Sequence, residues 1–252
     1  MQVITIASQK GGVGKTTTAL EIYDCLLQAG FKTLFIDLDQ QCNSTQTLNI
    51  KVEEGSTKTI YDVLKKTCHV SESIQHDIIP GSPMLSSIEF ELAMAIDGSQ
   101  RLRNILNNLD DIYDYCIIDT PPNLGIFLLS ALVAANKVVI PVRADKYSIE
   151  GLQNIIETVL AVRDNFNPNI KVSGILLTTY DQRNELDRNL WFKLRTEDLG
   201  VPVFKIPIRT CQKVKTAQNN GKLLSDIFPN ATAYEDYIRV TTAIVKECID
   251  DK

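Results

Sequence analysis

The chain has 252 residues, 44% of them apolar, and a formal net charge of −5. That length suits one large domain that buries roughly 70–75% of its unfolded surface, so no disulfide or structural metal is needed to hold it. The acidic balance excludes a globally basic nucleic-acid binder, and any anionic partner requires a local basic patch.

Strand-like and helix-like runs alternate along the chain. The strand candidates are Val3–Ser8, Thr33–Leu38, Asp77–Pro80, Tyr115–Thr120, Lys137–Val142, Lys171–Tyr180 and Val203–Pro207. The helix candidates between them are Thr16–Ala29, Ile60–Lys66, Ser86–Ala95, Arg101–Leu109, Ile126–Ala135, Ile149–Asn165, Leu186–Asp198 and Ala233–Ile249. Several strands are apolar on both faces, as parallel strands covered on two sides are. The expected fold is therefore a single α/β domain spanning the whole chain: one doubly wound, mostly parallel central sheet flanked by helices.

The stretch "SQKGGVGKTTTALEIY" joins the first strand to the first helix. Its glycines, Gly11, Gly12 and Gly14, let backbone N–H groups turn inward without side-chain clash. The helix that follows presents its N-terminal dipole and free amides. Strand, glycine loop, Gly-Lys-Thr and helix in this order make a phosphate cradle. Lys15 reaches the β- and γ-phosphates of ATP, and the Thr16 hydroxyl ligates Mg²⁺. Lys10 lies on the loop, where it can point outward across a nucleotide.

Two further runs supply acids. "LFIDLDQQCNST" carries Asp37 and Asp39 at strand spacing, both directed to the carboxyl end of the sheet, where ligands bind. One suits the metal's water shell and the other the orientation of an attacking water. "YCIIDTPPN" ends an apolar strand in Asp119, and Pro121 and Pro122 force a turn after it.

These motifs resemble the deviant Walker A, or ParA/MinD, family of P-loop NTPases. "KGGVGKTT" looks like its phosphate loop and "IIDTPP" like its Walker B segment. "DLDQQCN" departs from the family pattern DxDPQGN, with Gln40 for Pro and Cys42 for Gly. The resemblance also covers "ALVAANKVVIPV" and "YSIEGL". It implies nucleotide contacts from Lys10, Gly11, Gly12, Val13, Gly14, Lys15, Thr16, Thr17 and Pro207. It implies a catalytic role for Lys10, Lys15 and Asp39, with Lys10 crossing to the nucleotide of a second subunit in an ATP-dependent homodimer. It implies magnesium at Thr16, with Asp37 and Asp119 acting through water.

The family divides by its second partner. The last helix carries Glu235, Asp236 and Glu247 on its polar face and ends in Asp250-Asp251, which an anionic bilayer repels. The stripe Tyr234, Tyr237, Ile238, Thr241, Ile244, Val245 and Cys248 reads as core packing, so no membrane is expected. From Lys205 to Lys222 there are five basic residues and no acidic one. This looks like the region through which ParA dimers hold nonspecific duplex DNA, with Arg209, Lys213 and Lys215 as contacts and Arg183 and Arg188 beside them. The chain opens directly on its first strand, like ParA proteins lacking an N-terminal helix-turn-helix. The implied activity is a slow DNA-partition ATPase, cytoplasmic and nucleoid-associated, stimulated by a ParB-like partner. The alternatives are a MinD-like positioning ATPase, a ParA-like regulator of another cargo, and a nucleotide-binding scaffold without hydrolysis.

The remaining features read as structural. The six cysteines are far apart and form no CxxC pair, as reduced thiols do. No run of about 18 apolar residues is present, and the start lacks a signal-peptide pattern. His69 and His76 have no metal-site spacing, and Trp191 reads as a packing residue.

Overall fold

The computed structural model describes residues 1–53, 55–145 and 148–251. Tyr147, the first residue of "YSIEGL", lies outside them. The chain enters through β1 (Gln2–Ile6), turns through the glycines and continues as α1 (Lys15–Gln28). β2 (Thr33–Asp37), α2 (Asn43–Thr47), α3 (Ile60–Leu64), α4 (Val70–Ser73) and β3 (Ile78–Ile79) follow. α5 (Leu85–Met94) and α6 (Arg101–Asn107) lead to β4 (Tyr115–Asp119) and α7 (Ile126–Ala134). The second half comprises β5 (Lys137–Val142), α8 (Ser148–Asn165), β6 (Lys171–Leu177) and α9 (Glu185–Thr196). It closes with α10 (Gln212–Asn219), α11 (Leu224–Ile227) and α12 (Thr232–Asp250).

The six strands form one parallel sheet in the order β3-β2-β4-β1-β5-β6. β4 inserts between β1 and β2, so the register sets Asp119 beside both Ile6 and Asp37. Two acids distant in sequence thus end adjacent strands at one sheet edge.

Alternation within each strand sorts its side chains between the two faces. Ile4, Phe35 and Ile117 meet Leu20 of α1 and Tyr237 and Ile244 of α12. Leu34, Ile36, Cys116 and Ile118 meet Leu85, Leu92 and Leu102 on the opposite face. A third cluster joins β5 and β6 to Leu152, Ile155 and Val159 of α8. Each fully buried aliphatic side chain contributes about 1.5–3 kcal/mol, so both layers hold the sheet.

Three expectations need correction. Residues 203–207 form no strand. The segment follows β6 through the amides of Ile175, Phe204 and Ile208, which donate to Pro202, Ile175 and Leu177 carbonyls. Four residues there span two on β6, and Pro207 has no N–H to restore the ladder. Asp236, expected on the polar face of α12, is buried and receives Arg209. The rest of the expected stripe packs into the core beside α1, with Tyr234, Tyr237, Thr241, Ile244 and Cys248 buried and Val245 partly so, but Ile238 is 43% exposed and faces solvent. Among the described residues no helix is long and apolar enough to cross a membrane. All six cysteines are free thiols, four of them buried.

Candidate functional site: a phosphate cradle beside three acids

Gly12 and Gly14 have φ of 75° and 83°, the left-handed region in which a Cβ is strained. Gly14 is the N-cap of α1, and no side chain caps the helix. Its first amides are therefore available to an anion. The Thr178 hydroxyl donates to the Val13 carbonyl at 2.8 Å and ties the loop to the end of β6.

Lys15 is 7% exposed. Burial lowers its pKa, while Asp119 and Asp39 work in the opposite direction. An ammonium so placed has surrendered water and gains from any further anion. Asp37 is fully buried, and its Oδ2 accepts from the Thr45 amide (2.9 Å) and hydroxyl (2.6 Å). Its Oδ1 accepts from the Asp39 amide at 3.2 Å. Asp119 Oδ2 accepts from the Ser44 hydroxyl, and Thr16 nearby works against the rise in its pKa. Burial raises the pKa of both acids, and the charge of Asp119 raises Asp37 further. Asp39 is 5% exposed and accepts from the Gln41 amide at 2.9 Å.

Asp119 Oδ1 is buried without a hydrogen-bond partner. A cation bound near Thr16 would compensate it, so this donor set fits magnesium. Among the described residues no group of three His, Cys, Asp or Glu side chains forms a metal cage. Hard Mg²⁺ bound by one hydroxyl, phosphate oxygens and water needs none.

Beside the loop lies a cleft of about 520 Å³, lined by Gly12, Gly14, Thr17, Thr178, Ile208 and Tyr237 among others. Its volume lies within the range of small-molecule pockets. Gln218 on α10 donates to the Thr17 hydroxyl at 2.9 Å. The sequence reading missed Ser44, Thr45, Thr178 and Gln218. The first two stand in the quoted "CNST" run, but the other two reach the loop across 165 and 201 residues, with no local signal. Pro207, expected to touch the nucleotide, is not among the lining residues and stands one residue before the lining run Ile208–Gln212.

Lys10 is paired with Asp145 within its own chain, and its side chain is 39% exposed. A Cβ at Gly11 would meet nothing within 4 Å.

A family model described as "AAA domain" matches residues 1–172. The chromosome partitioning protein ParA of Myxococcus xanthus is 38% identical over 213 residues, covering 80% of this chain and 75% of that one. The chain belongs to the ParA/Soj family. The sporulation initiation inhibitor Soj of Bacillus subtilis is 33% identical, with 94% of this chain and 95% of that one covered. Among solved structures, cobyrinic acid a,c-diamide synthase from Mycobacterium smegmatis, bound to ADP and magnesium, superposes with a TM-score of 0.86. It is 26% identical and covers 100% of this chain and 97% of its own.

The residues expected to hold DNA are less unified than those of the cradle. The Arg209 guanidinium binds Asp236 through Nε and Nη2, both at 2.8 Å, and also Glu235 at 3.2 Å. Arg183 is paired with Asp181 at 2.8 Å, and Arg188 donates to the carbonyls of Gln182 and Arg183. Lys213 stands over the Phe228 ring, 5.4 Å from its centroid. Lys215, with Arg209, lines the cleft. His69 caps α4, and Trp191 sits 6.3 Å from the Tyr180 ring, both structural roles.

Proposed function

We propose that the protein is a DNA-partition ATPase whose ATP-bound homodimer holds duplex DNA without base recognition and is stimulated by a ParB-like partner. The observation that carries this reading is the left-handed glycine loop leading into α1, with buried Lys15 between Asp39 and Asp119.

The chain's residues divide the work. Loop amides and Lys15 bind the phosphates, and Asp39 orients the attacking water. Thr16 would hold magnesium, with Asp37 and Asp119 reaching it through water, and the ion would supply charge neutralisation at the phosphate oxygens. Lys10 leaves Asp145 to reach the nucleotide of the second subunit. Pairing two weak basic surfaces then makes the second DNA contact intramolecular. DNA affinity falls with salt at a log–log slope of roughly −0.9 per phosphate contact.

Asp39→Ala tests the chemistry. Phosphate release falls by about 10²–10⁴-fold while ATP affinity persists. Wild-type turnover would sink the assignment. On this background, gel shifts with arbitrary duplex show retention with ATP and little with ADP. Gly11→Val tests assembly, because its own fold has room for the side chain. Light scattering reads loss of the ATP-dependent dimer, and a persistent dimer refutes the sandwich.

A further inference from the structure

Helix α10 carries Lys213 and Lys215, two of the expected DNA contacts. Of its side chains Ala217 is buried and Val214 partly so, while both lysines are exposed. So short a helix is marginal alone, and a segment with few buried apolar contacts opens at low cost. Its position therefore depends on hydrogen bonds from distant segments.

One of these reaches the phosphate loop's helix. Gln218 Nε2 donates to Thr17 Oγ1 at 2.9 Å. Thr17 lies in the first turn of α1 and lines the cleft beside the loop with Gly12 and Gly14. Another lies just beyond α10. Asn49 Nδ2 donates to the Gly221 carbonyl at 2.6 Å, and a Cβ at Gly221 would come within 2.5 Å of the same side chain. Asn49 follows α2, whose Thr45 holds Asp37. Helix α10 thus rests on the segment leaving the cradle and on the segment leaving the acids. A cleft of about 580 Å³ lies between these supports, and its described lining residues are Asn, Gln, Thr and Gly, so no ion pair there reinforces the two bonds.

The hydroxyl makes the first bond responsive. A threonine hydroxyl has one proton to give and two lone pairs to accept with. Gln218 uses a lone pair and leaves the proton available. An anion in the loop accepts that proton, and the polarised oxygen then accepts more strongly from Gln218.

We propose that Gln218 is a positioning residue that relays occupancy of the phosphate cradle to α10 through the Thr17 hydroxyl, so that a bound phosphate fixes Lys213 and Lys215 in place. On the reading of the cradle as a nucleotide site, this adds an ordering step within each subunit, ahead of any pairing. Lysines already held lose less freedom on meeting a DNA phosphate. By linkage, DNA on α10 tightens nucleotide by the same factor.

The test is amide hydrogen exchange of the full chain at saturating ADP, which lacks the γ-phosphate, with light scattering on the same samples to exclude pairing as the cause. Bound ADP slows exchange over residues 212–222 by about tenfold. Gln218→Met keeps the side chain's length but cannot donate. It removes most of the slowing, while ADP affinity, read with a fluorescent analogue, stays within about threefold of wild type. Thr17→Val removes the slowing too, and Thr17→Ser, which keeps the hydroxyl, retains it. A merely structural Gln218 would alter exchange equally with and without ADP. Full slowing in Gln218→Met or in Thr17→Val, or none in wild type with ADP bound, overturns the relay alone. Failure of ADP to bind wild-type protein would remove the nucleotide reading and the relay with it. With ATP in the Asp39→Ala background, Gln218→Met weakens retention on arbitrary duplex DNA by about fivefold or more while the dimer persists in light scattering. Undiminished retention overturns the link to the lysines.

Discussion

The carboxyl edge of β1, β2 and β4 and the segment from Lys205 to Lys222 both concentrate charge, and they do so in opposite ways. At the strand ends, Asp37, Asp39 and Asp119 are 0–5% exposed, and neighbouring donors hold each of them. In the basic segment the cations are exposed, and Arg209 and Lys213 each answer to a local partner. A buried charge must be compensated by named groups, so its geometry is over-determined. An exposed charge is satisfied by water, and its position carries little structural information.

Thr45 provides the sharpest break. Its hydroxyl donates to Asp37 and accepts from the Gly81 amide at 2.8 Å. Thr45→Val removes one of the bonds to Asp37 and leaves the buried Gly81 amide unsatisfied, and urea unfolding reads a loss of about 2 kcal/mol that Thr45→Ser largely restores. Equal stability of Thr45→Val and wild type would show that the acids are not held as described.

The basic segment divides next. Arg209→Ala strands Asp236, which is 2% exposed, and costs about 2 kcal/mol. Lys213→Glu stays within about 0.5 kcal/mol of wild type. Equal effects of the two would erase the distinction between an anchored and a solvated cation.

Glu21 on α1 sharpens the comparison from another side, because it is a buried acid beside acids. Burial, with Asp24 adding repulsion, pushes its pKa from 4.5 to about 8, and Oε2 has no partner. The folded chain therefore binds a proton that the unfolded chain releases. Stability present below the unfolded value is lost as pH rises toward 8, at up to about 1.4 kcal/mol per pH unit. Glu21→Gln stays neutral, so its melting-temperature advantage grows from about pH 5 to pH 8. An advantage independent of pH would contradict the charge account.

The smallest effect is at Cys42, whose φ is 54°. The family pattern has Gly there, and the structure gives the reason: the N-cap of α2 is left-handed. Cys42→Gly relieves about 1 kcal/mol of backbone strain, set against the entropy that glycine loses on folding. Calorimetry detecting a clear destabilisation would refute this.

Legibility follows the same division. The sheet, its flanking helices and the cradle were readable because β-branched runs, the glycine loop and the strand-end acids are local signals. The short helices α2, α4, α10 and α11 were not. They span four to eight residues, too few for a periodic stripe. Gln218 was invisible because its bond to Thr17 depends on α10 folding back over the loop. Asp236 was misplaced because its amphipathic pattern gave no hint that Arg209 would reach it.

The two edges of the sheet limit how the molecule can associate. At one side β3 contributes only two residues, Ile78 and Ile79. At the other, β6 is shadowed by the chain from Pro202 to Ile208, whose prolines offer no donors of their own. Neither rim presents a long row of free backbone groups to template another strand. Crowded copies of this chain therefore resist joining sheet to sheet, and whatever contact they make is left to side chains, which salt and mutation can reverse.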